Sequence, residues 1–284
     1  MKSSMKNLLA ASLAATLAAG CGRPSGSTGD ASEGAESLSG EITVVGSTTV
    51  QPVAEVLAGA FEELHPGCVI TVQGGGSSVG VTSAGQGTAD IGSVSRDIST
   101  EEFAEFPGLV VHTIARDGIA VVVDPGVPVD CLTIDQVRGI FSGSITNWSA
   151  AGGPDMPIVV VSREEGSGTR GAFEELMLGE GVQISSGAIL QASNGAILTT
   201  VSGTPGAIGY LSFGYLDPSV KALSIDGVAP TPANAANGTY TAVRPLNLVT
   251  SGDPDGLARA WIDFIYSADG QAIVVEQGYL SVNG

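Results

Sequence analysis

The sequence predicts an α/β protein built from two units in tandem. Short runs rich in Val and Ile alternate with helix-like segments, and a turn rich in Gly and Ser follows most of these runs. Charged residues make up only 14% of the 284 residues and 41 residues are Gly, which favours a loop-rich α/β protein over a helical bundle. The alternation restarts near residue 118 without a long linker. Two such units predict two lobes that face a cleft, with parallel strands whose turns gather along one edge.

The beginning of the chain has the features of an export signal. Within residues 1–20, a basic start (MKSSMK) precedes an apolar run (NLLAASLAATLA) that is too short to span a bilayer. The pattern LAAGC resembles a lipobox, which predicts that Cys21 is lipidated and anchors the chain to the outer surface of a membrane. Ordinary secretion with cleavage nearby is the alternative. Residues 21–40 are polar and rich in Gly, Ser and acids, so we expect a flexible tether.

The first unit alternates strands with helices. Its strands are predicted at GEITVVGS, CVITVQ and ADIGSVS, and LVVHTIA forms a further buried strand. A helix follows the first strand and stops at Pro66 and Gly67. Its predicted apolar face consists of Val53, Val56, Leu57, Ala60, Phe61 and Leu64.

The second unit repeats the alternation from GIAVVVDP onward. A helix at TIDQVRGIFSG and a strand at MPIVVVS follow, and further strands are predicted at GAIGYLSF, VKALSIDG and RPLNLVT. The last segment, PDGLARAWIDFIYSADGQAIVVEQ, predicts two closing amphipathic helices.

Composition limits the kinds of partner. The formal net charge of −18 excludes a nucleic-acid ligand bound through a basic patch, although a local group of N–H donors and an Arg could still hold a small anion. The chain has no C-x-x-C motif and only two histidines, His65 and His112, which argues against a zinc site. Cys68 and Cys131 could form a disulfide in an oxidising compartment, a pairing whose geometry the sequence does not show.

Four turns combine a strand end, small residues and the start of a helix. They are GSTTV (46–50), GGGSSVG (74–80), GSVSRD (92–97) and SREEGSGTR (162–170). Gly allows close backbone approach, hydroxyls donate hydrogen bonds, and a helix N-terminus presents unpaired N–H groups. A single turn of this kind is explained better by helix capping. Four at one sheet edge, two of them with Arg, indicate an anion site.

The segments that contain these turns resemble those of a known family. The segments VVGSTTVQPVAEVLAGAF, QGGGSSVGV, ADIGSVSRDIS, LTIDQVRGIFSGSITNW and VSREEGSGTRGAF together resemble the periplasmic phosphate-binding proteins of phosphate ABC importers, from about residue 42 to the C-terminus. The resemblance implies the two-lobed type II periplasmic binding-protein fold, with the ligand cleft between the lobes. It places lobe one at 41–114 plus 246–284 and lobe two at 115–245.

The resemblance further implies a role and a ligand set. A monomer outside the cytoplasm would capture inorganic phosphate without metal or cofactor and deliver it to the transporter's membrane subunits, and it would catalyse no reaction. The implied phosphate-binding residues are Ser47, Thr48, Thr49, Ser77, Ser95, Arg96, Arg163, Ser167, Gly168 and Thr169. Arg163 would offer a planar fork to a tetrahedral oxyanion. Ser95 is a departure, because some members have an Asp there that accepts the proton of hydrogen phosphate.

Three other functions are alternatives to phosphate binding. A binding protein for another oxyanion (sulfate, molybdate or tungstate) would share the same architecture and donors. A dinucleotide enzyme is suggested by the spacing of Gly166, Gly168 and Gly171, but no acid lies between Glu180 and Asp217 to bind a ribose. A secreted serine hydrolase would use Ser78 in GSSVG, with His112 as the one downstream histidine; a core or hinge position explains that histidine better.

Overall fold

The structure is a computed structural model that describes residues 38–283. Its strands are β1 (Gly40–Gly46), β2 (Cys68–Gly74), β3 (Ile91–Val94), β4 (Leu109–Val123), β5 (Cys131–Leu132), β6 (Val159–Arg163), β7 (Ile189–Gln191), β8 (Ala207–Ser212), β9 (Lys221–Ala222), β10 (Ser224–Ile225) and β11 (Val243–Ser251). Its α-helices are α1 (Gln51–Leu64), α2 (Ser77–Gly85), α3 (Thr100–Glu105), α4 (Ile134–Phe141), α5 (Gly168–Phe173), α6 (Asn194–Gly203), α7 (Pro232–Ala236), α8 (Gly256–Tyr266) and α9 (Ala268–Glu276). Short 3₁₀ turns lie at Trp148–Ala151 and Phe213–Tyr215, and a π-helical turn at Glu174–Leu178 extends α5.

The main sheet is mixed rather than parallel. Its order is β2-β1-β3-β11-β4-β8-β6-β7, with β9 also paired to β4. Strands β2, β1 and β3 are parallel at one end, and β7, β6 and β8 are parallel at the other. Between them, β4 and β11 run antiparallel to each other and to their outer neighbours. The predicted parallel strands therefore form two groups, joined by a central antiparallel pair.

Strand β4 is longer than predicted. The sequence suggested two strands, LVVHTIA and GIAVVVDP, but the structure has one strand of 15 residues from Leu109 to Val123. The intervening charge does not break the strand, because Asp117 lies directly opposite Arg244 on β11 and both are buried.

The apolar side chains form two large cores and a smaller one. One large core draws on residues 42–115 and 246–279, and the other on residues 119–242. The smaller core lies around Val81, Val94 and Val249. Strand β4 contributes to both large cores.

Helix α1 buries a narrower face than predicted. Val53, Leu57 and Phe61 are buried with the intervening alanines 54 and 58, in rows spaced four residues apart. Val56 and Leu64 are exposed, so these two residues were assigned to the wrong face. Two adjacent rows with this spacing therefore form the buried face of α1.

The parallel register brings the predicted turns together. Gly46 at the end of β1 lies opposite Gly74 of β2 and Ser93 of β3. Gly46 has a φ of 142°, and a Cβ there would collide with the Ser93 carbonyl oxygen. A Cβ on Gly80 would meet the same oxygen. Gly at both positions therefore lets the start of α2 pack directly on β1 and β3.

The two cysteines do not form the disulfide that was considered. Cys68 is buried in the core of residues 42–115 and its thiol donates to the Leu38 carbonyl oxygen at 3.4 Å. Cys131 is free and exposed on β5. Burial raises the pKa of the Cys68 thiol, with Glu62 acting in the same direction, so this thiol stays protonated.

Several predictions concern residues at the start of the chain. The signal peptide (1–20), the lipidation of Cys21 and the tether up to residue 37 lie outside the described residues. Leu38 packs against the core of residues 42–115, so the last residues of the predicted tether belong to the fold. Between residues 38 and 283, no helix is both long and apolar enough to cross a bilayer.

Candidate anion-binding site

The turn after β1 contributes two buried threonines. Ser47 caps the start of α1, where its Oγ accepts from the backbone N–H groups of Thr49 (3.1 Å) and Val50 (3.3 Å). The hydroxyl oxygens of Thr48 and Thr49 each accept a hydrogen bond from Asn194 Nδ2, at 3.3 Å and 2.9 Å. The turn therefore presents hydroxyl oxygens that already accept, which leaves their hydrogens to donate.

The turns after β2 and β3 are joined through two serines. Ser77 is the first residue of α2, and its Oγ accepts from the Ser95 backbone N–H at 3.1 Å. The two hydroxyl oxygens are 3.4 Å apart. Both side chains are at most 1% exposed. This contact fixes the position of Ser95 at the end of β3.

The turn after β6 contributes a buried guanidinium. Arg163 ends the strand and is 1% exposed. Its Nε donates to Glu164 Oε2 at 3.0 Å and to the Gln191 carbonyl at 3.1 Å, while Nη2 donates to Glu164 Oε1 at 2.8 Å and to the Ala192 carbonyl at 3.1 Å. Within the described chain, Nη1 is the guanidinium nitrogen with no hydrogen-bond partner. It remains available to a ligand.

The same turn continues into α5 through small polar residues. Ser167 caps this helix, with its Oγ accepting from the Arg170 backbone N–H at 3.2 Å. The Arg170 side chain donates to Glu174 Oε1 at 2.8 Å and to the Arg163 carbonyl at 3.1 Å. Arg170 therefore supports the turn instead of supplying charge to the other turns.

The turns meet in one buried polar cluster, which we call the hydroxyl cluster. Thr49 Oγ1 is 3.0 Å from Thr169 Oγ1, across 120 positions of sequence. Gly168 lies against the serines of the second and third turns: a Cβ on this residue would collide with Ser77 Oγ and lie 2.8 Å from Ser95 Oγ. The hydroxyl cluster comprises Ser47, Thr48, Thr49, Ser77, Ser95, Ser167, Gly168 and Thr169, whose hydroxyl-bearing members are all at most 8% exposed.

Arg96 is held at the rim of the hydroxyl cluster and not within it. Its Nη1 and Nη2 each donate to a Glu102 carboxylate oxygen at 2.7 Å, and Nη2 also donates to Ser78 Oγ at 3.2 Å. Burial alone would raise the pKa of the Glu102 carboxyl, but the hydrogen bonds from Arg96 and Ser99 outweigh it and lower this pKa. In this arrangement the guanidinium is paired with a neighbouring carboxylate, and its role as a direct ligand stays a prediction.

Three residues that contact the hydroxyl cluster or support it were not predicted from the sequence. Asn194 starts α6 after β7 and Ser193 caps that helix, so the rule used for the other turns would have found it. Arg244 Nη2 donates to Thr49 Oγ1 at 3.1 Å, and its Nη1 donates to the Ser95 carbonyl at 3.1 Å. Asp117 accepts from the Arg244 guanidinium at 2.9 and 3.2 Å. A charged residue inside a long apolar run was the available signal for this pair.

Burial shifts the protonation of groups around the hydroxyl cluster. It raises the pKa of the Asp117 carboxyl and lowers that of the Arg244 guanidinium, although each partner opposes the shift of the other. Burial also raises the pKa of Tyr210 to about 12, so this phenol is neutral. Its oxygen accepts from the Arg163 backbone N–H at 3.1 Å and lies 2.8 Å from Ser162 Oγ, to which it can donate. The phenol thus fixes the end of β6.

The donor set suits an oxyanion better than a metal. It consists of hydroxyls, backbone N–H groups and guanidinium groups, which are hydrogen-bond donors at the hydroxyl cluster. Across residues 38–283, no group of three or more His, Cys, Asp or Glu side chains is placed to hold a metal ion. A nearby cavity of ≈ 640 Å³ is less suitable for an anion, since Glu165 and Glu174 line it and its arginine is paired with one of them.

The geometry does not form a Ser–His pair at Ser78. The Ser78 hydroxyl accepts from Arg96, whereas His112 Nε2 is 3.0 Å from Thr250 Oγ1 on β11. The ring of the other histidine, His65, packs against Phe61 at a tilt. The hydrolase alternative has no base at its nucleophile in the described chain.

Comparison with known proteins gives the class of protein first. A family model described as a PBP superfamily domain matches residues 31–269. A solved structure from Clostridium perfringens, described as a phosphate ABC transporter substrate-binding protein with bound phosphate, is 41% identical, with a TM-score of 0.81, and the match covers 86% of this chain and 100% of that one. An ABC-type phosphate transport receptor from Vibrio cholerae is 38% identical, with a TM-score of 0.70 and coverage of 84% and 99%. The fold is thus the two-lobed α/β fold of periplasmic binding proteins.

Curated relatives narrow the assignment. The phosphate-binding protein PstS of Bacillus subtilis is 38% identical over 271 residues, which cover 94% of this chain and 90% of the relative. The PstS of Borreliella burgdorferi is 30% identical, with coverage of 85% and 90%. The chain belongs to the PstS family of phosphate-binding proteins within the PBP superfamily.

Proposed function

We propose that this protein captures inorganic phosphate outside the cytoplasm and delivers it to the membrane subunits of a phosphate ABC transporter. The hydroxyl cluster is the observation that carries the proposal. Donors from four turns converge in a buried setting, with Thr49 and Thr169 in contact across 120 positions of sequence, and the buried Arg163 belongs to the same turn as Ser167, Gly168 and Thr169. The names of the relatives support the same ligand and the same transporter class.

The proposed ligand set follows from the donors in this arrangement. Thr48, Thr49, Ser77, Ser95, Ser167 and Thr169 would donate through hydroxyls, and Gly168 would let backbone N–H groups approach the anion. Ser47 would act mainly as the cap that orders its turn. Arg163 would supply the counter-charge through Nη1, since its other two nitrogens are occupied. Arg96 would influence the anion only from the rim.

We propose that binding, and not a chemical reaction, is the protein's task. Lobe one would consist of 41–114 plus 246–284 and lobe two of 115–245, a division supported by the two large cores. Phosphate would stabilise the closed arrangement of the lobes, which the transporter would then recognise. The proposal includes a monomer held at the membrane surface by lipid on Cys21, as the lipobox pattern suggests.

A second candidate ligand is another oxyanion such as sulfate, molybdate or tungstate. Ser95 stands where some family members have an Asp, and the hydroxyl cluster itself contains no carboxylate among the described residues. Hydrogen phosphate needs an acceptor for its proton, whereas sulfate does not. The identity of the acceptor therefore decides between the two ligands.

Calorimetric titration of the purified full chain tests the proposal directly. Phosphate, arsenate and sulfate would be titrated separately at about pH 6, 7 and 8, a range in which a phosphate group loses its second proton. We expect tight binding of phosphate, somewhat weaker binding of arsenate and little binding of sulfate. Tight sulfate binding without phosphate binding would favour the second candidate, and no binding of any oxyanion would overturn both.

A further inference from the structure

A buried ion pair joins the antiparallel strands β4 and β11, immediately behind the hydroxyl cluster. Asp117 and Arg244 face each other in the strand register and are at most 2% exposed. Arg244 Nη2 and Nε reach Asp117 Oδ2 at 2.9 and 3.2 Å. Because both charges lose their hydration, such a pair adds little net stability over an apolar replacement. Its contacts with other residues therefore indicate what it does.

The guanidinium reaches beyond its partner to Thr49. Nη2 donates to Thr49 Oγ1 at 3.1 Å, and Asn194 Nδ2 donates to the same oxygen at 2.9 Å. A hydroxyl has two acceptor lone pairs and one hydrogen. Both lone pairs of Thr49 are therefore occupied, so its hydrogen must be donated. In the structure the available acceptor is Thr169 Oγ1 at 3.0 Å, inside the hydroxyl cluster.

We propose that Arg244 and Asn194 are positioning residues that fix the Thr49 hydroxyl as an obligatory donor to the bound anion. This inference rests on the proposed function. Asp117 holds the guanidinium fork in place, and its other oxygen, Oδ1, accepts from Ser212 Oγ at 3.0 Å and from the Phe213 backbone N–H at 3.2 Å.

The arrangement also limits where the phosphate proton can go. Thr49 cannot accept it, because its lone pairs are occupied. Asp117 cannot accept it directly, since both of its oxygens already receive protein donors. Ser95 Oγ is the more open acceptor, with Arg244 Nη1 at a long 3.5 Å.

A double-mutant cycle read out by phosphate calorimetry on the full chain tests the inference. The first change is the neutral pair Asp117→Asn with Arg244→Gln, which leaves no unpaired buried charge. The second is Thr49→Val, and the third combines them. We expect the neutral pair to bind phosphate about 10- to 100-fold more weakly, the range of one charge-assisted hydrogen bond. In the Thr49→Val background, adding Asp117→Asn and Arg244→Gln should change the Kd for phosphate by less than about threefold.

The non-additivity separates positioning from a general structural role. An equal loss in both backgrounds, or wild-type affinity in the neutral pair, would overturn the inference while leaving phosphate binding by the wild-type chain intact. A wild-type chain that binds no phosphate would instead contradict the proposed function, and the inference with it.

Two further variants keep the test decisive if the neutral pair folds poorly. Asn194→Leu removes the other donor to Thr49 without adding charge. Because Asn194 also donates to Thr48 Oγ1, its effect should become clearly smaller in the Thr49→Val background without disappearing, and an equal effect in both backgrounds would count against positioning. Arg244→Lys keeps the charge but lacks the planar fork. We expect Arg244→Lys to lose about tenfold or more in affinity. Wild-type affinity in this variant would show that charge alone is sufficient and would reject positioning. Thermal unfolding without phosphate confirms that each variant is folded.

Discussion

The turn after β3 and the pairing of β4 with β11 each contain an arginine–carboxylate pair, and the two pairs make different contacts. Arg96 and Glu102 are six positions apart, and their side chains are 18–19% exposed. Arg244 and Asp117 are 127 positions apart and almost fully buried. The first pair lies in a turn whose sequence predicts an anion ligand, yet its guanidinium stays at the rim. The second pair has no motif, yet it hydrogen-bonds directly to the hydroxyl cluster.

The two pairs differ in what fixes the position of the carboxylate. Glu102 closes a capping box with Ser99 at the start of α3, so its position is fixed by the helix. Arg96 then pairs with it through two short bonds. Asp117 is fixed by the sheet instead, and it directs Arg244 toward the site. The local helix and the sheet register therefore decide which guanidinium reaches the cluster.

The largest expected effect belongs to Arg163. Arg163→Ala should weaken phosphate binding by more than about a thousandfold, because an anion in a buried site would lose its main counter-charge. Calorimetry of the full chain measures this loss, with Arg96→Ala as the matched control at the rim. Similar losses in the two variants would remove the distinction between the buried site and its rim. Unchanged affinity in Arg163→Ala would overturn the site itself.

The next effect concerns stability where β4 pairs with β11. Arg244→Gln alone should lower the free energy of unfolding by about 3–5 kcal/mol, since it leaves Asp117 charged, buried and unpaired. Burial already raises the pKa of this carboxyl, and loss of the guanidinium raises it further. The folded variant then binds more protons than the unfolded chain above pH ~4, so its stability should fall as pH rises.

Urea unfolding at pH 5 and pH 8 (roughly one and four units above a carboxyl's ordinary pKa) measures this trend. Asp117→Asn added to Arg244→Gln serves as the control and should recover most of the lost stability, with little remaining pH dependence from this site. If Arg244→Gln is as stable as the wild type at both pH values, the prediction is wrong and loss of the guanidinium does not destabilise the fold.

A smaller effect is expected from two glycines in α5. A Cβ on Gly168 would collide with the Ser77 hydroxyl, whereas a Cβ on Gly171 would lie 3.5 Å from the Arg96 side chain in ordinary contact. Gly168→Ala should cost about 1–3 kcal/mol of stability and also weaken phosphate binding, because the turn after β6 must move away from the serines. Gly171→Ala is the matched control and should stay within about 1 kcal/mol of the wild type or be more stable. Equal behaviour of the two variants would contradict the close approach at Gly168.

Much of the site was predictable because its donors follow one local rule. Small residues between a strand end and a helix start marked the turns that contain Thr49, Ser77 and Thr169, and the same rule would have marked Asn194. The pairing of β4 with β11 was not predictable in this way. Whether Asp117 interrupts β4 or continues it depends on Arg244, which joins it only when the sheet forms. Long-range pairing of this kind leaves no spacing pattern in the sequence.

The smallest expected effect tests whether Arg96 is only a rim residue. Glu102→Gln keeps the capping-box geometry but removes the charge that pairs with Arg96, so stability at neutral pH should fall by no more than about 1 kcal/mol. The pKa of Glu102 is lowered in the folded state, so its ionic contribution is present above the ordinary carboxyl pKa and is lost as pH falls through the lowered value. The difference in the free energy of unfolding between variant and wild type should therefore vanish in acid.

Phosphate affinity of Glu102→Gln should change by less than about threefold, since the freed guanidinium remains outside the hydroxyl cluster. A tenfold or larger gain in affinity on Glu102→Gln, reversed by Arg96→Ala, would place Arg96 among the direct ligands and would make Glu102 the residue that withholds it.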